Sequence, residues 1–151
     1  MIRYSDIESD IGQLPDFIVQ YSAELVEARK HVNIDGNIER NLAALPGLTE
    51  RYFTQLQEIE AVLRYMDLQL KKIKRKHFQK YLENYARALT SRDAERYCEG
   101  EGEVVDYEIL INEVALLRNK YLSVIKGFES KNFMMGHIVK LRTAGMEDVV
   151  L

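Results

Sequence analysis

From Thr49 to about Leu89 the chain contains neither glycine nor proline. Apolar residues recur within this stretch at alternating spacings of three and four, which is the period of an amphipathic α-helix. The residues in this register are Leu56, Ile59, Leu63, Met66, Leu70 and Ile73. The stretch therefore predicts one long helix, and Thr49 is its predicted N-cap.

The N-terminal third contains two shorter helical patterns. Apolar residues at helical spacing predict a first helix over residues 16–31, and Pro15 suits its first turn. A cluster of turn-forming residues follows at 33–37. We expect a short helix over residues 38–45, ended by the Pro46-Gly47 pair.

The middle of the chain contains an acidic break. Thr90 and Ser91 can cap a short helical turn that extends through Tyr97. Residues 98–103 combine two glycines with three acids and no base. We expect them to form a flexible loop exposed to solvent.

The C-terminal part carries a second register of threes and fours, which predicts a second long helix. Its members are Tyr107, Leu110, Val114, Leu117, Tyr121, Val124 and Phe128. Ser130 is the predicted cap of a last helix, and Gly145 follows the end of that helix. The apolar residues of this last helix include Phe133, Ile138 and Leu141.

These patterns indicate an all-α fold, in which long helices form an antiparallel hairpin or bundle with short flanking helices. No Pro-, Gly- or Ser-rich linker divides the 151 residues, so we expect a single domain over 1–151. Its predicted parts are N-terminal helices at 1–48, a long basic helix and short turn at 49–98, and further helices at 103–145.

The cysteine content and the apolar runs of the sequence indicate the cellular compartment of the protein. Cys98 is the single cysteine, so an internal disulfide is excluded. The N-terminal residues lack the apolar run of a signal peptide, and no stretch approaches the ~18 apolar residues of a membrane span. We expect a cytoplasmic protein with no membrane partner.

A basic segment lies inside the first long helix. The chain has a net charge of -3, yet six Lys and Arg residues fall within the ten positions from Lys71 to Lys80. Helical geometry places most of these cations on one side of the helix, together with Arg64, and apolar residues such as Ile73 on the other. This pattern predicts nucleic-acid binding. The candidate residues are Arg64, Lys71, Lys72, Lys74, Arg75, Lys76 and Lys80.

Two simpler interpretations stay open for this segment. The first is that the lysine-rich helix face is merely solvated. The second concerns His77, Phe78 and Tyr81, which are candidates for aromatic side chains on which the bases of a single strand stack. Because Phe78 and Tyr81 lie on the apolar stripe, the periodicity favours a core position for them.

Residue patterns typical of catalysis are missing. The sequence has no Gly-rich phosphate-binding loop, and three separated histidines with one cysteine argue against a zinc site. The acidic pairs Glu24-x-x-Glu27 and Glu103-x-x-Asp106 are similar to magnesium-binding pairs of all-α pyrophosphatases, but their wide separation argues against that function. We expect no enzyme activity, no cofactor and no metal.

The segment from Ser130 to Arg142, SKNFMMGHIVKLR, resembles the end of UvsY-type recombination mediators of tailed bacteriophages. Those proteins close with a Ser-basic-x-Phe helix that carries His-Ile and then an apolar-Arg pair. The order of elements is also similar over residues 56–145. The family's Lys-x-Arg pair in the long helix corresponds here to Lys72-x-Lys74 or Lys74-x-Lys76, and neither pair has arginine second.

The resemblance implies a non-enzymatic protein that binds single-stranded DNA. It would help a RecA-like recombinase to replace the single-strand-binding protein in DNA recombination and repair, in the host cell cytoplasm if phage-encoded. It also implies a homo-oligomer, as a hexamer or heptamer ring joined through apolar surfaces of the helices in 103–145. The expected oligomerisation residues are those of the second register together with Phe133, Ile138 and Leu141.

A different class of function fits the same helices. In a structural or assembly protein of a phage virion, the heptads would join subunits and the lysines would face solvent. Reversing the charges of Lys71, Lys72, Arg75 and Lys76 would then leave assembly and function intact.

Overall fold

The computed structural model describes residues 1–84 and 89–146, and every regular element within them is helical. The elements are α1 (Tyr4–Ser9), a 3-10 turn (Ile11–Gln13), α2 (Leu14–Lys30), α3 (Ile38–Asn84), α4 (Ser91–Glu99) and α5 (Gly102–Thr143). The all-α prediction is confirmed. The predicted end of the long helix near Leu89 falls partly on residues 85–88, which lie outside the described residues.

The chain divides into two compact units. We call residues 1–59 with 117–151 the terminal unit and residues 60–116 the central unit. The helices α3 and α5 contribute residues to both units. Within each unit they are antiparallel, as predicted, because residues further along α3 contact residues earlier in α5. The single domain expected over 1–151 stays a prediction.

Aromatic side chains form the core of the terminal unit. The rings of Phe17 and Tyr21 are stacked at 4.1 Å between centroids, and those of Tyr52 and Phe128 lie 5.8 Å apart. The hydroxyl of buried Tyr121 donates a hydrogen bond of 2.9 Å to the carbonyl oxygen of Tyr21. This bond connects α5 to α2 in addition to their apolar packing. Desolvation raises the pKa of Tyr121, which keeps this hydroxyl a neutral donor.

A buried lysine also holds the terminal unit together. Lys131 in α5 is only 5% exposed, and its ammonium donates hydrogen bonds to three oxygens. The acceptors are the carbonyls of His31 and Asn33, at 2.7 and 2.8 Å, and Oδ1 of Asn41, at 2.7 Å. Burial lowers the pKa of Lys131. The ammonium thus connects α5 to the α2–α3 connection and to the first turn of α3.

The predicted break at Pro46 is wrong, because α3 begins at Ile38 and continues through this proline. A proline inside a helix removes one backbone hydrogen bond. Burial of Ile38, Leu45 and Tyr52, spaced seven residues apart on one side of α3, offsets that loss. Thr49 is therefore not an N-cap, and its hydroxyl instead donates to the carbonyl of Leu45.

The first turn of α3 is capped by a residue of the turn cluster at 33–37. Oδ1 of Asn37 accepts a hydrogen bond of 3.0 Å from the amide of Arg40. Gly36, immediately before it, has a φ of 72°, which favours glycine. The turn prediction was therefore correct, and the helix that follows it is much longer than predicted.

The predicted cap at Ser130 is also wrong, because Ser130 lies in the interior of α5. Buried Phe128, Lys131 and Met135 continue the spacing of threes and fours across it, so packing maintains the helix there. The helix ends at Thr143. As predicted, Gly145 follows this end, with a φ of 78°.

The acidic segment 98–103 is largely exposed, as its composition predicts, but four of its six residues are helical and only Gly100 and Glu101 lie between helices. The helix α4 is capped by Thr90, as expected, but it extends to Glu99, and α5 already begins at Gly102. Cys98 is buried and its thiol donates to the carbonyl of Lys74 at 3.1 Å. The burial of Cys98 is what extends α4 beyond its predicted end.

Candidate nucleic-acid interface

Five cations of the central unit are exposed along one side of α3, opposite its buried side. We call them the basic face, and its members are Arg64, Lys71, Lys72, Arg75 and Lys76. The last lies twelve positions after the first, which corresponds to about 18 Å along the helix axis. Within residues 1–84 and 89–146, no carboxylate lies within 4.0 Å of their side-chain nitrogens. The face is therefore positively charged and accessible.

Two further predicted residues differ from the basic face in their surroundings. Lys74 is half-buried and its ammonium lies 2.7 Å from Oε1 of Glu108 on α5. The hydrogen bond to Glu108 raises the pKa of Lys74, so this lysine is charged but neutralised by its partner. Lys80 is exposed, 3.8 Å from Oε1 of Glu101. Both counterparts of the family's Lys-x-Arg pair include the paired Lys74.

The aromatic candidates lie toward the interior of the central unit. His77 is buried, and Phe78 and Tyr81 are half-buried. The ring of Tyr81 is stacked on Tyr97 of α4 at 5.5 Å between centroids. These positions support the interpretation of Phe78 and Tyr81 as packing residues rather than platforms for bases.

Two acids cover the inner side of the basic segment, Glu101 immediately before α5 and Glu103 in its first turn, and sequence reasoning missed this arrangement. Oε2 of Glu103 lies 2.7 Å from Nε2 of His77, and Oε1 of Glu101 lies 3.7 Å from Nδ1 of the same ring. The hydroxyl of Tyr81 donates a hydrogen bond to Glu101. The available signal was the i, i+4 spacing of His77 and Tyr81 on the inner side of α3.

Because the Tyr81 hydroxyl donates a hydrogen bond to Glu101, we expect the contribution of Glu101 to the free energy of unfolding to depend on pH. This bond lowers the pKa of Glu101 in the folded chain, so the unfolded chain takes up the proton first as the pH falls below about 4.3. Glu101 thus stabilises the fold above this pH, and its contribution disappears as the pH falls through the lowered pKa. We expect Glu101→Gln to lower the free energy of urea unfolding at neutral pH, with the difference from wild type shrinking on acidification.

The exposed Glu95 provides the matched control for this experiment. Glu95→Gln removes an acid from the same unit, and it should change the free energy of unfolding at neutral pH by less than about 0.5 kcal/mol. A difference between Glu101→Gln and wild type that does not change with pH would contradict the role of the hydrogen bond.

The predicted oligomerisation residues fall into two groups. Six of them are covered within the chain itself: Val114, Leu117, Tyr121, Val124, Phe128 and Ile138. Their spacing is accounted for by packing inside the two units. Leu110, Phe133 and Leu141 are exposed, and Tyr107 is half-buried. Of the exposed three, Phe133 has the largest exposed fraction, 67%.

The acidic pairs considered for magnesium are placed as follows. Glu24 lies 2.6 Å from a guanidinium nitrogen of Arg51, and Glu27 lies 2.7 Å from the ammonium of Lys30. In the described part of the chain, no group of three or more His, Cys, Asp or Glu side chains is arranged to hold a metal ion.

None of the helices described is both long and apolar enough to cross a bilayer. Comparisons with protein-family models, with curated proteins and with solved structures each found no match.

Proposed function

We propose that this protein is a recombination mediator that binds single-stranded DNA through the basic face of α3. The observation that carries the proposal is the row of five exposed cations, which no described carboxylate neutralises, in a chain of net charge -3. A row of cations without carboxylate partners can neutralise successive phosphates of a nucleic-acid strand.

The proposed mechanism requires no catalysis by this chain. Lysine and arginine contacts to phosphates hold the strand without reading its sequence, which suits a protein that acts on any single-stranded region. The recombinase would supply the ATP chemistry, and the mediator would hold the strand while the single-strand-binding protein is displaced. The resemblance of residues 130–142 to UvsY-type mediators supports this assignment.

Self-association would strengthen the binding. An oligomer that presents several basic faces to one strand can exceed the affinity of a single contact by ~10²–10⁴, provided that the faces can engage together. Phe133 and Leu141 are the exposed members of the predicted oligomerisation set on the C-terminal part of α5. We propose that these side chains contribute to a hexameric or heptameric ring.

Salt dependence of DNA binding tests the proposal directly. The anisotropy of a labelled oligo-dT strand should report binding that weakens steeply as salt is raised, because phosphate contacts release counterions. Five contacts per bound chain correspond to a slope of about -3.5 in log affinity against log salt. Absence of binding at low salt, or binding that salt does not change, would rule out the basic face as the DNA site.

A further inference from the structure

The side of α5 that faces away from α3 in the central unit carries an exposed apolar stripe. Its members are Val105, Ile109 and Leu116, which are 41%, 52% and 55% exposed. The exposed Asn112 completes spacings of four, three and four, so all four side chains lie on one side of the helix. We call these four residues the α5 stripe. The three aliphatic side chains are aligned over three turns of α5, so one helix laid along this side would cover all of them.

The stripe is bordered by negative charge. Asp106 and Glu113 are exposed along one edge, and no cation lies within 4.0 Å of their oxygens in the described residues. Glu108 lies along the other edge and is paired with Lys74. An apolar row with unneutralised acids beside it is complementary to a helix that carries an apolar row bordered by Lys or Arg.

A second copy of this chain fits the stripe poorly. If two copies met through the same face, Asp106 and Glu113 of one copy would approach the same acids of the other, and like charges in a contact are costly. The basic face of α3 has the complementary sign, but Lys72 and Arg75 occupy its centre, where an apolar row is needed. The charges and the apolar row therefore favour a different protein as the occupant.

We propose that the α5 stripe binds a cationic amphipathic helix of a partner protein. The aliphatic side chains would cover the apolar row of that helix, and Asp106 and Glu113 would pair with its Lys or Arg residues. Asn112 would make the one polar contact within the row, which fixes the register of the bound helix. This inference does not depend on whether the chain binds DNA.

The experiment uses a designed helical peptide with leucine at the a and d positions and lysine at the e and g positions. Its fluorescence anisotropy should report binding to the wild-type chain. The double variant Ile109→Gln, Leu116→Gln should bind it on the order of 30-fold more weakly, because the apolar contact is lost. The double variant Asp106→Asn, Glu113→Gln should bind it roughly 5-fold more weakly at low salt.

The matched control is Asp67→Asn with Glu95→Gln, which removes the same two charges from exposed positions elsewhere in the central unit. It should bind the peptide as wild type does, and a leucine/glutamate peptide should not bind. Equal loss in this control, or no loss in the stripe variants, would overturn the proposal. Sedimentation of the chain alone tests whether a second copy of the chain occupies the stripe instead. Self-association that disappears in the double variant Ile109→Gln, Leu116→Gln would assign the stripe to a second copy and would also overturn the proposal.

Discussion

Replacing Lys71, Lys72, Arg75 and Lys76 together with glutamine is expected to lower the affinity for single-stranded DNA by a factor on the order of 10²–10³ at about 0.1 M salt. Each lost phosphate contact also removes about 0.7 from the salt slope, so the slope should fall by about 2.8. Glutamine keeps a good helix propensity, and all four side chains are exposed, so the fold should be retained. Anisotropy titrations at several salt concentrations measure both quantities.

The chain offers a control that matches this variant residue for residue. Lys120, Lys126, Lys140 and Arg142 are exposed on α5, and their replacement by glutamine removes the same three lysines and one arginine. If binding depends on the basic face rather than on net charge, the control should retain nearly all of the affinity. Equal loss in both variants would indicate a general charge effect, and a structural or assembly role for the helices would then become the better interpretation.

Replacing Lys131 with methionine is expected to lower the free energy of unfolding by about 3 kcal/mol. Methionine fills a similar volume, but it leaves the carbonyls of His31 and Asn33 and Oδ1 of Asn41 without their donor. Buried acceptors without partners cost more than the lost bonds alone. Urea unfolding followed by circular dichroism measures the change, and amide exchange in residues 31–41 should accelerate.

Lys126 serves as the control for this experiment because it lies on the same helix and is exposed. Lys126→Met should change the free energy of unfolding by less than about 0.5 kcal/mol. Equal stability of the two variants would show that the three bonds of Lys131 contribute nothing net to the fold.

The spacing of apolar residues was sufficient to predict which segments are helical, but not where each helix begins and ends. The spacing of threes and fours correctly indicated α2 and most of α3 and α5. Local signals at Pro46 and Ser130 predicted breaks, yet α3 and α5 continue through them because apolar residues on both sides are buried in register. The free energy of that burial comes from tertiary packing, which a local pattern does not contain.

The candidate site was predictable to a similar degree. Rotation of 100° per residue placed the basic face correctly on the outer side of α3, because that depends on the helix alone. The neutralisation of Lys74 was not predictable, since its partner Glu108 is 34 positions away and reaches it only through the pairing of α3 with α5. For the same reason, the composition of residues 98–103 predicted a flexible exposed loop but not the contacts of Glu101 and Glu103 with His77 and Tyr81.

The thiol of Cys98 gives the central unit a built-in reporter. It is the single cysteine of the chain, it is 4% exposed, and burial raises its pKa, so in the closed state it is a poor nucleophile. The thiol lies at a surface cavity that Lys74, Arg75 and Phe78 of α3 also line, so a bulky thiol reagent should label it much faster when α4 separates from α3 than while the two helices are packed. The labelling rate of the unmodified chain measures how often this part of the molecule opens, and it does so without any substitution near the basic face.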